Sequence, residues 1–203
     1  AIFEFQTLIC QLTGMEVANA SMYDGSSAMA EAVLMAHRIN DRLEVVLPTA
    51  VHPEYRTVSR TYVSKLGLHL HEAPYTDQGT TDLKKVKAAL SDRTCAVVVQ
   101  SPNFFGVLES LDELAEAAHK VGALLIVVVA EPVSFGIIRS PGECGADIVV
   151  GEGQAFGNHL NFGGPYLGFF ASKDAYIRSM PGRLVGQTED RVGRVGYVLT
   201  LST

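Results

Sequence analysis

The feature that most restricts the fold is a series of short, unbroken apolar runs separated by helix-patterned stretches. Ala123–Val129 reads ALLIVVV, and Cys95–Gln100 reads CAVVVQ. A strand with one face in water alternates apolar and polar residues. A strand covered on both faces need not, and reads as a continuous apolar run. The strands expected on this pattern are Glu44–Leu47, Leu68–Glu72, Cys95–Gln100, Ala123–Val129, Asp147–Val150 and Gly168–Ala171, with a further one at Tyr197–Leu201.

The helices between them are well punctuated. Pro53 at the first helical position, after His52, opens one; its stripe runs Tyr55, Val58, Ser59, Tyr62, Val63, Leu66, and Gly67 closes it. Ser110 and Glu113 have capping-box spacing ahead of Leu114, Ala115 and Ala118, with Gly122 at the end. The stretch from Ser26 to Ile39 is apolar nearly all round, which predicts a central, buried helix. Strand and helix in alternation give an α/β fold: a three-layer, doubly wound, mostly parallel sheet. Ile2, Phe5, Ile9 and Leu12 keep helical spacing from the second residue, up to Gly14. The chain is therefore expected to be a single domain, residues 1–203, lifted from a longer protein.

Composition excludes some partners. A net charge of −6 argues against nucleic acid, which calls for a basic surface. The longest apolar run is too short to span a bilayer, and no secretory leader is evident. Cys10, Cys95 and Cys144 are scattered and odd in number, as expected of free thiols in a reducing, cytoplasmic compartment. His69 and His71 share one face of a strand but lack a third ligand, so no metal site is expected.

Ligands in doubly wound sheets bind beyond the carboxyl ends of the strands. Four loops there are unusual. Asn19–Ser27 puts Gly25, Ser26 and Ser27 at the start of the long buried helix, where main-chain N–H groups suit a phosphate; Asp24 or Ser26 could equally be a simple cap. His52 could stack on a planar ring or cap its helix. Asn103, in QSPNFFG, could donate to a ligand oxygen or only shape a turn. Glu131 ends the most apolar strand, where a partly buried carboxylate would need a partner: a pyridinium nitrogen, or an arginine such as Arg139.

The order of these segments is that of fold-type-I pyridoxal phosphate (PLP) enzymes. Their wording is more specific. NASMYDGSSAMAEAVL, VHPEYRTVSRTY, VVVQSPNFFGVLE, PGECGADIVVGEGQAFG, NFGGPYLGFFASK and PGRLVGQTED together resemble the P-protein of the glycine cleavage system, glycine dehydrogenase (decarboxylating), in the form of subunit 1 of its split version. The resemblance runs along essentially the whole chain. It implies the large domain of the aminotransferase-type PLP-dependent fold, glycine as substrate of the complex, a PLP-carrying subunit 2 as partner, and a lipoyl H-protein that receives the aminomethyl group. It assigns Gly25, Ser26 and Ser27 to the phosphate turn, His52 to the ring-stacking place and Asn103 to the ring hydroxyl, and sets Glu131 near the pyridinium-pairing aspartate but one methylene too long, so that these matches define a degenerate pseudo-site. Gln154-Ala155 stands where subunit 2 has a His-Lys pair, so this chain would hold no covalent PLP and supply no catalytic residue. None of the six lysines, Lys65, Lys84, Lys85, Lys87, Lys120 and Lys173, ends a strand beside that place. Active sites in this fold lie between subunits and glycine-rich loops allow close approach, so Tyr23, Asp24, Gly163 and Gly164 are expected at the contact with the partner. The alternative reading is a PLP-free binding or regulatory domain that kept only the fold.

Overall fold

The computed structural model describes residues 1–200. Its main sheet has seven strands in the order β1-β7-β6-β5-β4-β2-β3. These are β1 Val17–Ala18, β2 Glu44–Pro48, β3 His69–Ala73, β4 Thr94–Gln100, β5 Leu124–Val129, β6 Ile148–Glu152 and β7 Gly168–Ser172. The pairs from β3 through β2, β4 and β5 to β6 are parallel; β7 runs antiparallel to both β6 and β1.

The central strands are buried on both faces, as their continuous apolar character requires. Leu125, Val127 and Val129 of β5 face one layer, packed with α1 (Ile2–Thr13), α4 (Leu83–Ala89) and α5 (Leu111–Lys120). Leu124, Ile126 and Val128 face the other, packed with α2 (Gly25–Asn40) and α3 (Pro53–Val63). Each fully buried Val, Leu or Ile contributes about 2 kcal/mol relative to exposure. The expectation of a central α2 is met: Ala28, Met29, Ala32, Val33, Met35 and Ala36 are all inaccessible.

Several local expectations need correction. α3 ends at Val63, and Leu66 lies exposed in the following turn. Ser110 is the N-cap of α5 but makes no side-chain capping bond. Lys173, with no capping side-chain bond, stands ahead of a 3₁₀ turn, Asp174–Ser179. The Tyr197–Leu201 strand appears as β9 (Val195–Thr200), paired in a separate hairpin with β8 (Leu184–Glu189), while Leu201 lies outside the described residues.

At the opposite end of the sheet from the ligand loops, Asp147 ties three elements together. Its buried carboxylate accepts from Leu125 N (2.8 Å) and bonds His119 Nε2 (2.7 Å) and Lys173 Nζ (2.5 Å). This accounts for Lys173, the one lysine that is not fully exposed. The other five lie on α4, at the end of α5, or in the turn after α3.

Candidate functional site

The carboxyl ends of β1, β2 and β6 converge on a cleft of about 420 Å³. Three of the expected residues line it: Gly25, Ser26 and His52. Tyr55, Tyr166 and the carboxylates of Asp24, Glu54 and Glu152 complete the wall.

α2 begins at this cleft. Asp24 is its N-cap, accepting from Ser27 N at 2.8 Å and from the Ser26 hydroxyl. Ser27 Oγ turns back to Asp24 O (3.1 Å) and Asp24 Oδ2 (3.2 Å). Burial would raise the Asp24 carboxyl, but the hydrogen bonds from Ser26 and Ser27 outweigh it and hold the group below its ordinary value. Both hydroxyls of the turn are thus committed to the cap. Glycine is required at position 25 because a Cβ there would meet Tyr55 Oη at 2.3 Å and Glu152 N at 2.9 Å.

His52 caps α3: its Nδ1 accepts from Glu54 N at 3.2 Å. Its ring lies edge-on to Phe104 (5.1 Å) and tilted to Tyr55 (5.2 Å). Gln100 fixes the approach by accepting from His52 N at 2.8 Å. The Tyr55 hydroxyl is pushed well up, first by burial and then by the Glu152 and Asp24 charges, so it stays neutral.

Asn103 and Glu131 do not join the cleft. Asn103 is buried inside its own loop. It donates to Gly79 O (2.7 Å) and Glu109 Oε1 (2.8 Å) and accepts from Phe105 N and Val107 N, which uses both of its amide hydrogens. Glu131 is exposed and accepts from Val133 N at the start of a 3₁₀ turn. The arginine expected beside it, Arg139, pairs with Asp112 and with Cys144 Sγ instead. The expected pairing of Glu131 is therefore not made: the chain turns at Pro132, and the carboxylate caps that turn rather than entering the site.

Glu152 is the residue that the sequence reading passed over. One oxygen accepts from Gly25 N (3.0 Å), the other from Gln154 N (3.0 Å) and Leu167 N (2.8 Å). A carboxylate at the end of a parallel strand, flanked by Gly151 and Gly153, was the available signal. Gly151 lets the strands close, since a Cβ there would lie 2.0 Å from Val129 O. Gln154 and Ala155 form a 3₁₀ turn; Gln154 Nε2 is buried without a partner and Ala155 is exposed.

The Tyr23-Asp24 turn touches the returning loop, with Met22 bridging Gly168. Tyr23 is 90% exposed, and Leu160, Phe162 and Tyr166 stand out from the loop that precedes β7. Gly163 has φ +110°, whereas Gly164 has an extended backbone and only Tyr166 N (3.8 Å) near its Cβ position.

A profile of the family described as "Glycine cleavage system P-protein" matches residues 1–203. The chain belongs to that family. It is 56% identical over 201 residues to "Probable glycine dehydrogenase (decarboxylating) subunit 1" of Desulfitobacterium hafniense, and equally so to the protein of that name in Desulforamulus reducens. Each match covers 99% of this chain and 45% of the relative, so the chain spans about half their length. Among solved structures, a glycine decarboxylase (P-protein) of the glycine cleavage system in inhibitor-bound form superposes with TM-score 0.93 at 49% identity, over 98% of this chain and 44% of that one. A sphingosine-1-phosphate lyase of Burkholderia pseudomallei superposes at 0.67 with 16% identity over 97% of this chain and 49% of that one, a likeness of fold alone. The fold is the large domain of the PLP-dependent fold-type-I enzymes.

The residues present do not fit a resident PLP. Ala155 offers no amine, Gly25 N–H is taken by Glu152, Asn103 has no hydrogen to spare, and Glu131 faces solvent. Among the described residues no cluster of three or more His, Cys, Asp or Glu could hold a metal ion, and no helix is long and apolar enough to cross a membrane.

Proposed function

We propose that the protein to which this chain belongs is subunit 1 of a glycine-decarboxylating complex, a non-covalent half that is needed by a PLP-carrying subunit 2. The observation that carries this is the Gln154-Ala155 turn at the end of β6, in a chain whose relatives are named as subunit 1. PLP, when bound by the partner, supplies the electron sink for loss of the glycine carboxylate. The aminomethyl group then passes to a lipoyl H-protein, outside this chain's own cleft. What this chain contributes is shape. Tyr23 on one loop, with Phe162 and Tyr166 beside Gly163 and Gly164 on the next, leaves exposed aromatic surface suited to a neighbouring subunit. Such a surface orders the partner's loops and keeps water from them. A cytoplasmic setting fits the free thiols, with Cys95 buried and pushed up to about 12 by that burial.

The test is reconstitution of the full-length subunit with subunit 2 and lipoyl H-protein, following carbon dioxide release from glycine. Activity should require both subunits. Full turnover by subunit 2 alone would leave this chain the alternative role of a separate binding or regulatory domain.

A further inference from the structure

The start of α2 is where an anion belongs in this fold. The first N–H groups of a helix have no partner in the helix, and its dipole favours negative charge there. The chain fills that place itself. Glu152 Oε2 accepts from Gly25 N at 3.0 Å, while Oε1 accepts from Gln154 N and Leu167 N at 3.0 and 2.8 Å. One carboxylate thus gathers main-chain donors from the start of α2, the turn after β6 and the segment entering β7. The cleft in front of it carries two further carboxylates, Asp24 and Glu54, and no lysine or arginine.

We infer that Glu152 is an internal anion that stands on the α2 N-terminus in place of a phosphate, and so closes this cleft to phosphorylated ligands. The inference rests on the family reading above and deepens it. Loss of the cofactor from this chain has two layers, a missing amine at Ala155 and a carboxylate already seated on the phosphate donor. A phosphate dianion would have to displace a tethered group whose three hydrogen bonds are already made. It would also have to sit among like charges at close range. Tyr55 closes the remaining side, with Oη against the Gly25 backbone.

The experiment is thermal unfolding of the chain and of its Glu152→Ala and Glu152→Gln variants, in inorganic phosphate and in chloride at equal ionic strength. Phosphate stabilises folded proteins in general by exclusion from their surface, so the wild-type difference between the two salts is the baseline against which the variants are read. Glu152→Ala frees the donors, so it should melt lower in chloride and gain about 3 °C more than wild type in phosphate. Glu152→Gln keeps the side-chain shape without the charge and should gain in the same direction; it decides the matter alone if the alanine variant does not fold. A phosphate gain in wild type as large as in the variants would overturn the inference. So would folded variants with no phosphate gain. Either result leaves the subunit reading standing, because no cofactor or partner enters the measurement.

Discussion

Asp24 shows how one side chain can decide what a site is for. A cap at the head of α2 and a phosphate turn look alike in sequence: an acid, a glycine and two hydroxyls. The structure spends both hydroxyls on the Asp24 carboxylate. Asp24→Ala should lower stability by about 1 kcal/mol in urea unfolding. Asp24→Asn keeps a good cap and isolates the charge. The folded carboxyl lies below its ordinary value, so its stabilisation is present above the unfolded pKa and is lost as pH falls through the folded one. The gap between wild type and Asp24→Asn should therefore close on acidification below the usual carboxylate range, and a gap that widened there would reverse the sign. Ala155 makes the companion case. A lysine placed there would be exposed rather than desolvated in a pocket. Ala155→Lys should thus give no specific pyridoxyl adduct on borohydride reduction in micromolar PLP; a stoichiometric adduct would mean that the cleft is more open than its hydrogen bonds indicate. Pairing that change with Glu131→Asp should add nothing, because Glu131 lies outside the cleft, whereas pairing it with Glu152→Gln removes the charge that competes with phosphate.

At the scale of elements, the sequence was informative where burial is two-sided and less so where geometry depends on a neighbour. β4, β5 and β6 were legible because both faces are covered, which leaves an unbroken apolar run. α2 was legible because small and apolar residues surround it. β1 has two residues and exists through pairing with β7, so no periodicity announces it. The antiparallel sense of β7 follows from a return loop without a crossover helix, which composition does not specify. Of the expected site residues, Gly25, Ser26 and His52 line one cleft, while Asn103 and Glu131 lie outside it. Their roles depend on which backbone groups the folded loops leave unsatisfied. The Asp147 cluster was invisible for the same reason, since its partners come from α5, β5 and the end of β7. Asp147→Ala removes a buried carboxylate that serves Leu125 N, His119 and Lys173, and should cost about 3 kcal/mol in chemical denaturation. Lys173→Ala leaves the other two bonds in place and should cost well under half as much; equal losses would show that the lysine, not the carboxylate, organises the cluster.

At the scale of the whole chain, the described residues build a fold-type-I large domain whose cleft carries three carboxylates, with Tyr23 and Phe162 exposed on loops beside it. Gly164 is the cleaner probe of that exposed surface. A side chain at Gly163 would be strained by its positive φ, but one at Gly164 meets only Tyr166 N, in ordinary contact at 3.8 Å. Gly164→Val in the full-length subunit should leave its melting temperature nearly unchanged while lowering glycine decarboxylation in the reassembled complex; undiminished activity with normal assembly would remove this loop from the contact. The central claim is that the cofactor of the complex is not held by this chain. It is tested most directly by reducing the active, reassembled complex with borohydride and mapping the pyridoxyl group by mass spectrometry. The expected result is a single adduct, on the partner subunit. A stoichiometric pyridoxyl lysine among Lys65, Lys84, Lys85, Lys87, Lys120 and Lys173 of this chain would contradict it.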